Sequence, residues 1–176
     1  MRNKKSVAVV ASTTYRRLQR SENKRCCFAG HSKVYDPSIV EKIVEKARQL
    51  IEEHGITDFW VGNYGAFDGY AASAVRKLKA KYPQIALSLV IPYLTKEINE
   101  YREDYYKNYD SIIMADIPES TPRNLKIIKA NEFMINNSDF LISYENYSWG
   151  GAVKTVEYAI KKKIQVVNLG SLEIET

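Results

Sequence analysis

Short apolar runs alternate with amphipathic stretches of helical length along most of this chain, and that order constrains the fold more than any other feature. Cys26-Cys27-Phe28-Ala29 reads as a buried first strand ending at Gly30-His31-Ser32. Asp36-Pro37 then signals a helix start, with Asp as N-cap and proline at the first helical position. Ile39, Val40, Ile43, Val44, Ala47, Leu50 and Ile51 share one face of that helix, and Gly55 stops it. Phe59-Trp60-Val61 is a second strand running into Gly62-Asn63-Tyr64-Gly65. The next helix, from about Phe67 to Lys81, turns Ala71, Ala72, Val75 and Leu78 inward until Tyr82-Pro83 ends it. Ile85 to Ile91 is a third strand, apolar except for Ser88, and it stops at Pro92-Tyr93.

A tyrosine-rich helical stretch, Lys96 to Asn108, leads to a fourth strand, Ser111 to Met114. Thr121-Pro122 repeats the N-cap-plus-proline signal for a helix ending near Asn137. Phe140 to Ser143 is a fifth strand, Gly150-Gly151 opens a helix through Lys162, and Ile164 to Asn168 is a sixth strand. Strands alternating with helices in this way require a parallel sheet covered on both faces. The expected class is α/β: a Rossmann-like, doubly wound, mainly parallel sheet of about six strands with helices on both faces.

With 176 residues the chain can core one domain well and two only poorly. No apolar run approaches the ~20 residues that cross a bilayer. The stretch Val7 to Ala11 is too short for a secretory leader, which makes a cytoplasmic protein the expectation. The net charge of +5 is unevenly spread. Residues 1–25 hold eight basic side chains and one acid, whereas the remaining residues hold 18 basic and 20 acidic ones. The expected layout is therefore a basic extension over residues 1–24 and a near-neutral domain over residues 25–176. Such an arm suits nucleic acid or an anionic surface, and equally a solvated tail. The adjacent Cys26 and Cys27 point to opposite faces of a strand and do not pair, and with two histidines no set has metal-ligand spacing. Neither a metal nor a bound cofactor is called for.

In open parallel sheets, ligands bind beyond the carboxyl ends of the strands, where the strand order reverses. Glycines and polar residues gather at those ends: Gly30, His31 and Ser32, then Gly62, Asn63, Tyr64 and Gly65, then Pro92 and Tyr93, then Trp149, Gly150 and Gly151. A helix N-terminus offers free amides and partial positive charge to a phosphate, and glycine lets the ligand come close. Neither GxGxxG nor a P-loop is present, so the convergence of several loops carries the argument. His31 would bond a phosphate or satisfy a buried loop carbonyl. Asp68 would accept from a ligand hydroxyl or stabilise its own helix. Glu157 would face the pocket or pair on the surface with Lys154 or Lys161. The tyrosines near positions 101–109 are expected to cover the sheet.

Taken in order, these residues resemble the YpsA/YoqJ-like branch of the SLOG superfamily (the Smf/DprA and Lonely Guy Rossmann-like proteins). Cys26 to His31 resembles its CCFTGHR signature, and Trp60 to Asp68 its second glycine-rich loop ending in Phe-Asp. Tyr82-Pro83, Val90 to Tyr93, Asn136 to Asp139, Gly150-Gly151 and Thr155 to Ala159 match further along. The resemblance implies a nucleotide-binding Rossmann-like fold. Lonely Guy phosphoribohydrolases carry Gly-Gly-x-Gly-Thr-x-x-Glu and an arginine on the preceding helix. Gly150, Gly151 and Glu157 fit that spacing, but Val153 and Lys154 occupy the next glycine and threonine positions. Where relatives tend to have Arg-Asn, Lys129 and Asn131 flank Ala130. Lys129 or Lys126 would serve as the cation, without the two-pronged grip of arginine. These departures count against hydrolysis and leave phosphate binding.

The leading expectation is thus a sensor or sequestering module for a nucleotide-derived phosphate ligand, such as an ADP-ribose or NAD derivative or a nucleoside monophosphate. One alternative is a phosphoribohydrolase that cleaves the N-glycosidic bond of nucleoside 5′-monophosphates, with Glu157 as catalytic residue. Another is nucleic-acid interaction through the basic arm. A homo-oligomer is in keeping with Rossmann-like relatives, and a membrane partner is not expected.

Overall fold

The computed structural model describes residues 23–171. Six strands form one sheet, all parallel: β1 (Lys24–Gly30), β2 (Ile56–Val61), β3 (Ala86–Ile91), β4 (Ser111–Met114), β5 (Phe140–Tyr144) and β6 (Gln165–Asn168). Their order in space is β4-β3-β2-β1-β5-β6. The chain therefore walks outward from β1 to β4, crosses back, and lays β5 on the other side of β1. The strand order reverses between β1 and β5, where Cys26 pairs with Phe140 and Gly30 with Tyr144.

Helices cover both faces. α1 (Ile39–His54) and α2 (Ala66–Lys79) pack on one side, where Ile39, Ile43, Ala47, Ala71 and Val75 meet Cys26, Phe28, Phe59 and Val61. The short helices α3 (Lys96–Glu100) and α4 (Arg102–Asn108) add Ile98 and the partly buried Tyr105, Tyr106 and Tyr109 to that core. α5 (Lys126–Asn136) and α6 (Gly151–Lys161) cover the other side, with Ala130, Phe133, Met134, Val156 and Ala159 against Cys27, Trp60 and Leu141. Each fully buried large apolar side chain contributes about 1.5–3 kcal/mol. The two thiols are free and lie in opposite cores, as strand alternation requires.

Both proline-marked helix starts begin later than expected. α1 starts at Ile39, because the Asp36 carboxylate accepts from the backbone N–H and hydroxyl of Ser38 at 2.9 and 2.6 Å. Asp36 thus closes a turn before the helix and does not cap it. Thr121-Pro122 leads into a single 3-10 turn, Arg123–Leu125, before α5 proper. The tyrosine-rich stretch is two helices divided at Tyr101, not one. Among the described residues no helix is long and apolar enough to cross a membrane.

Residues 1–22, most of the basic arm, lie outside the described residues. Lys24, the last residue assigned to that arm, belongs with Arg25 to β1. Arg25 is a structural residue. Its Nε meets Asp58 at 2.6 Å, a second guanidinium nitrogen donates to the Asn137 carbonyl at 2.8 Å, and its guanidinium carbon lies 3.8 Å from the Trp60 ring centroid.

Candidate functional site

A cleft of about 210 Å³ opens at the strand-order reversal, beyond the carboxyl ends of β1 and β5. Its floor is Ala29, Gly30, His31 and Ser32, which continue β1. One wall is Tyr64, Gly65 and Asp68 from the turn into α2, and the opposite wall is Ile127 and Asn131 from α5. Tyr147, Trp149 and the start of α6, Gly150 to Ala152, close the remaining side. Of the glycines in the expected loops, Gly30, Gly65, Gly150 and Gly151 border this cleft.

Local geometry explains the composition of these loops. Gly150 has φ of +107° at the N-cap of α6, a backbone conformation that side chains resist. At Gly65 the limit is space: a Cβ would lie 2.9 Å from the Ser32 backbone, where the Ala66 N–H donates to the Ser32 carbonyl. α6 presents its first turn to the cleft, and amides there have no partner within the helix. The Thr155 hydroxyl donates to the Gly151 carbonyl at 2.9 Å and accepts from the Asn131 side-chain amide at 3.2 Å, tying α5 to the base of this turn.

Asp68 sits in the first turn of α2 and accepts from the Tyr64 N–H at 2.9 Å. Burial pushes its carboxyl up to about 6, against the pull of that amide. Gly62 makes room for it, since a Cβ there would lie 3.0 Å from Asp68 Oδ2. His31 is buried, and its Nε2 accepts from the Asn146 N–H at 3.1 Å, which leaves its proton on Nδ1. Its partner in the chain is thus a loop amide and not the loop carbonyl that was the second expectation for it. Burial holds its pKa below the ordinary histidine value. The ring stacks on Tyr147 at 3.7 Å between centroids, and Tyr147 stacks on Trp149 at 4.4 Å. This three-ring ladder ends in the open, with Trp149 68% exposed.

Glu145 follows β5 and is buried. Asn168 clamps its backbone, accepting from the Glu145 N–H at 2.9 Å and donating to its carbonyl at 3.2 Å. Its carboxylate Oε1 has no hydrogen-bond partner. Burial, and secondarily the Glu157 carboxylate, push Glu145 up to about 7.

The remaining expected site residues fall elsewhere. Asn63 is exposed and, like Gly62, does not line the cleft. Pro92 is buried outside it, and Tyr93 borders a second depression at the end of β3. Lys129 points to solvent and pairs with Glu132 at 2.6 Å. Glu157 is exposed and off the cleft, and it makes no ion pair with Lys154 or Lys161 among the described residues. Lining residues that sequence reading missed are Ile127, Tyr147 and Ala152, whereas Trp149 lines the cleft from the loop in which the sequence placed it, directly before Gly150-Gly151. The i, i+4 spacing of Ile127 and Asn131 on α5 was the available signal for one of these.

A model of the YspA SLOG family matches residues 27–171. The chain belongs to that family. Among its relatives, a UPF0398 protein of Halalkalibacterium halodurans is 27% identical over 135 residues, covering 72% of this chain and 70% of the relative. Among solved structures, DNA processing protein A from Helicobacter pylori, described for its single-stranded DNA binding mode, aligns with a TM-score of 0.63. It is 15% identical, with 95% of this chain and 73% of that one covered. A molybdenum cofactor binding protein from Rippkaea orientalis aligns with a TM-score of 0.56 at 14% identity, covering 86% and 79%. At those identities the structural neighbours establish the shared fold. The SLOG chain described here thus has the Rossmann-like architecture its strand and helix order requires.

Proposed function

We propose that this SLOG protein binds a nucleotide or nucleotide-derived phosphate ligand in the β1–β5 cleft and works as a sensing or sequestering module in the cytoplasm. One observation carries the reading: the first turn of α6, the half-buried Asp68 and the His31–Tyr147–Trp149 ladder all border a single cleft at the strand-order reversal. Each part matches one part of a nucleotide. The α6 amides and helix dipole suit a phosphate. Asp68 and Asn131 suit ribose hydroxyls. A volume of about 210 Å³ is below the roughly 300 Å³ at which pockets enclose a drug-sized molecule. The cleft therefore takes the ribose-phosphate and leaves the base at the rim, where Trp149 offers an exposed ring for stacking.

Thermal unfolding against nucleoside monophosphates, NAD, ADP-ribose and cyclic ADP-ribose tests this. A ligand present at about 100 times its Kd adds roughly 2.7 kcal/mol of stability. A selective rise in melting temperature is expected, abolished by Asp68→Ala; no rise with any of the panel would overturn the reading.

A second reading rests on Glu145. A carboxyl raised to about 7 by burial, and secondarily by a neighbouring carboxylate, resembles the pairing that acid catalysis of glycosidic cleavage uses. In a phosphoribohydrolase, Glu145 would give its proton to the leaving base as the C1′–N bond breaks, water would add to C1′ and return a proton to Glu145, and Glu157 would favour the protonated state of its neighbour. Release of ribose 5-phosphate from a nucleoside monophosphate, lost in both Glu145→Gln and Glu157→Gln, is the expected result. No release by the unsubstituted protein removes this reading and leaves the first intact.

A further inference from the structure

The second depression, at the carboxyl end of β3, has about 520 Å³ of space and is bordered by Tyr93, Thr95, Lys96, Thr121, Arg123 and Lys126. Its charge is one-sided. Arg123 and Lys126 lie 5.9 and 5.7 Å from the centroid of the Tyr93 ring, and neither makes an ion pair among the described residues. Lys96 is 88% exposed and, among the described residues, pairs only with Glu100, at 3.6 Å. The position of the two inner cations goes against ordinary helix electrostatics. They occupy the turn that begins α5, where the helix dipole is already positive, and no acid stands in that first turn. Two cations drawn together on one aromatic ring, at a helix start without a carboxylate, leave a concentration of positive charge that an anion would neutralise.

This depression adjoins the main cleft. Lys126 borders one and Ile127 the other, so the first turn of α5 forms the partition between them. The Tyr64 phenol of the main cleft also feels the Tyr93 phenol of the second, one of the influences that raise it to about 12 after burial itself.

We propose that Lys96, Arg123 and Lys126, with Tyr93 between them, form an accessory phosphate site that holds the second phosphoryl group of a ligand whose first lies at α6. The inference rests on the nucleotide reading of the main cleft and narrows it, from nucleotides in general to those carrying two separate or bridged phosphates. Arginine supplies the two-pronged contact to phosphate oxygens, and the lysines supply mobile point charges.

The experiment compares AMP, adenosine 3′,5′-bisphosphate, ADP-ribose and inorganic tripolyphosphate by calorimetric titration of the full chain and of the R123Q/K126Q variant. Both substituted residues are surface residues, and the unliganded melting temperature checks that the variant folds. The unsubstituted protein should prefer at least one two-phosphate nucleotide over AMP by about tenfold or more. The variant should lose that preference while its AMP affinity stays unchanged. Equal affinity for AMP and both two-phosphate ligands in the unsubstituted protein, or a preference that survives in the variant, would overturn the accessory site. If no nucleotide binds, the reading of the main cleft fails separately. Tripolyphosphate then decides: binding lost in R123Q/K126Q upholds an anion site at β3, and no binding ends the proposal.

Discussion

At the amino end of the sheet, Arg25 meets Asp58, the Asn137 carbonyl and the face of Trp60, and its own backbone N–H donates to Asp139 at 2.9 Å. At the carboxyl end, Asp68 and Glu145 are carboxyls raised by burial, and among the described residues neither they nor the cations Arg123 and Lys126 make an ion pair. The same sheet thus has one end where charges are matched within the chain and one where they are not. Matching serves cohesion. An unmatched group near an opening costs stability and is available to something that arrives from outside.

The largest effect should come from breaking the matched end. Arg25→Ala leaves Asp58, only 16% exposed, without its partner. The expected loss is about 3 kcal/mol in urea unfolding, with ligand-induced stabilisation unchanged. The unmatched end should respond with the opposite sign. Glu145 titrates near 7 in the fold against an ordinary value of 4.5, so the folded state holds its proton longer than the unfolded chain does. Stability then falls as pH rises from about 4.5 to about 7 and stays low above that. Glu145→Gln should therefore gain about 2–3 kcal/mol at pH 8, gain little at pH 4, and flatten the profile between them. A loss at pH 8 would mean that Glu145 has a stabilising partner.

Asp68→Asn should behave likewise, with a smaller gain of about 1–2 kcal/mol. Asn keeps the acceptor for the Tyr64 N–H, and Asp68 lies at the edge of the cleft, closer to water. Its ligand-induced stabilisation should disappear, which separates it from Glu145→Gln. The smallest effect on stability belongs to Trp149→Ala, within about 0.5 kcal/mol. Nucleotide binding should nonetheless weaken by about 1–3 kcal/mol of stacking, with ribose 5-phosphate unaffected.

The fold was legible because its signals are local and redundant. β4 spans the residues the apolar pattern marks, and the runs at Phe140 and Gln165 differ from expectation by one residue at an end. Helix starts were less legible, since Asp36 can either cap a helix or close a turn, and only the Ser38 hydroxyl decides between them. For the cleft, the glycine loops could be read because glycine marks backbone geometry. Side-chain direction could not. Consecutive helical residues point about 100° apart, so Lys129 faces solvent while Asn131, two positions on, faces the cleft. Tyr147 and Trp149 carry no periodic signal at all, because they sit in the loop between β5 and α6. Tyr93 was read with the main cleft because the sheet edge it ends is shared; the start of α5 divides that edge in two.

The ladder from His31 to Trp149 also gives the molecule a built-in gauge. Of its two tryptophans, Trp60 is 6% exposed in the core and Trp149 is 68% exposed at the rim. Their emission should differ in colour, with the red-shifted part coming from Trp149 alone. A base settling on that ring would dim or blue-shift one component and leave the other as an internal standard, so occupancy of the cleft can be followed without any added label.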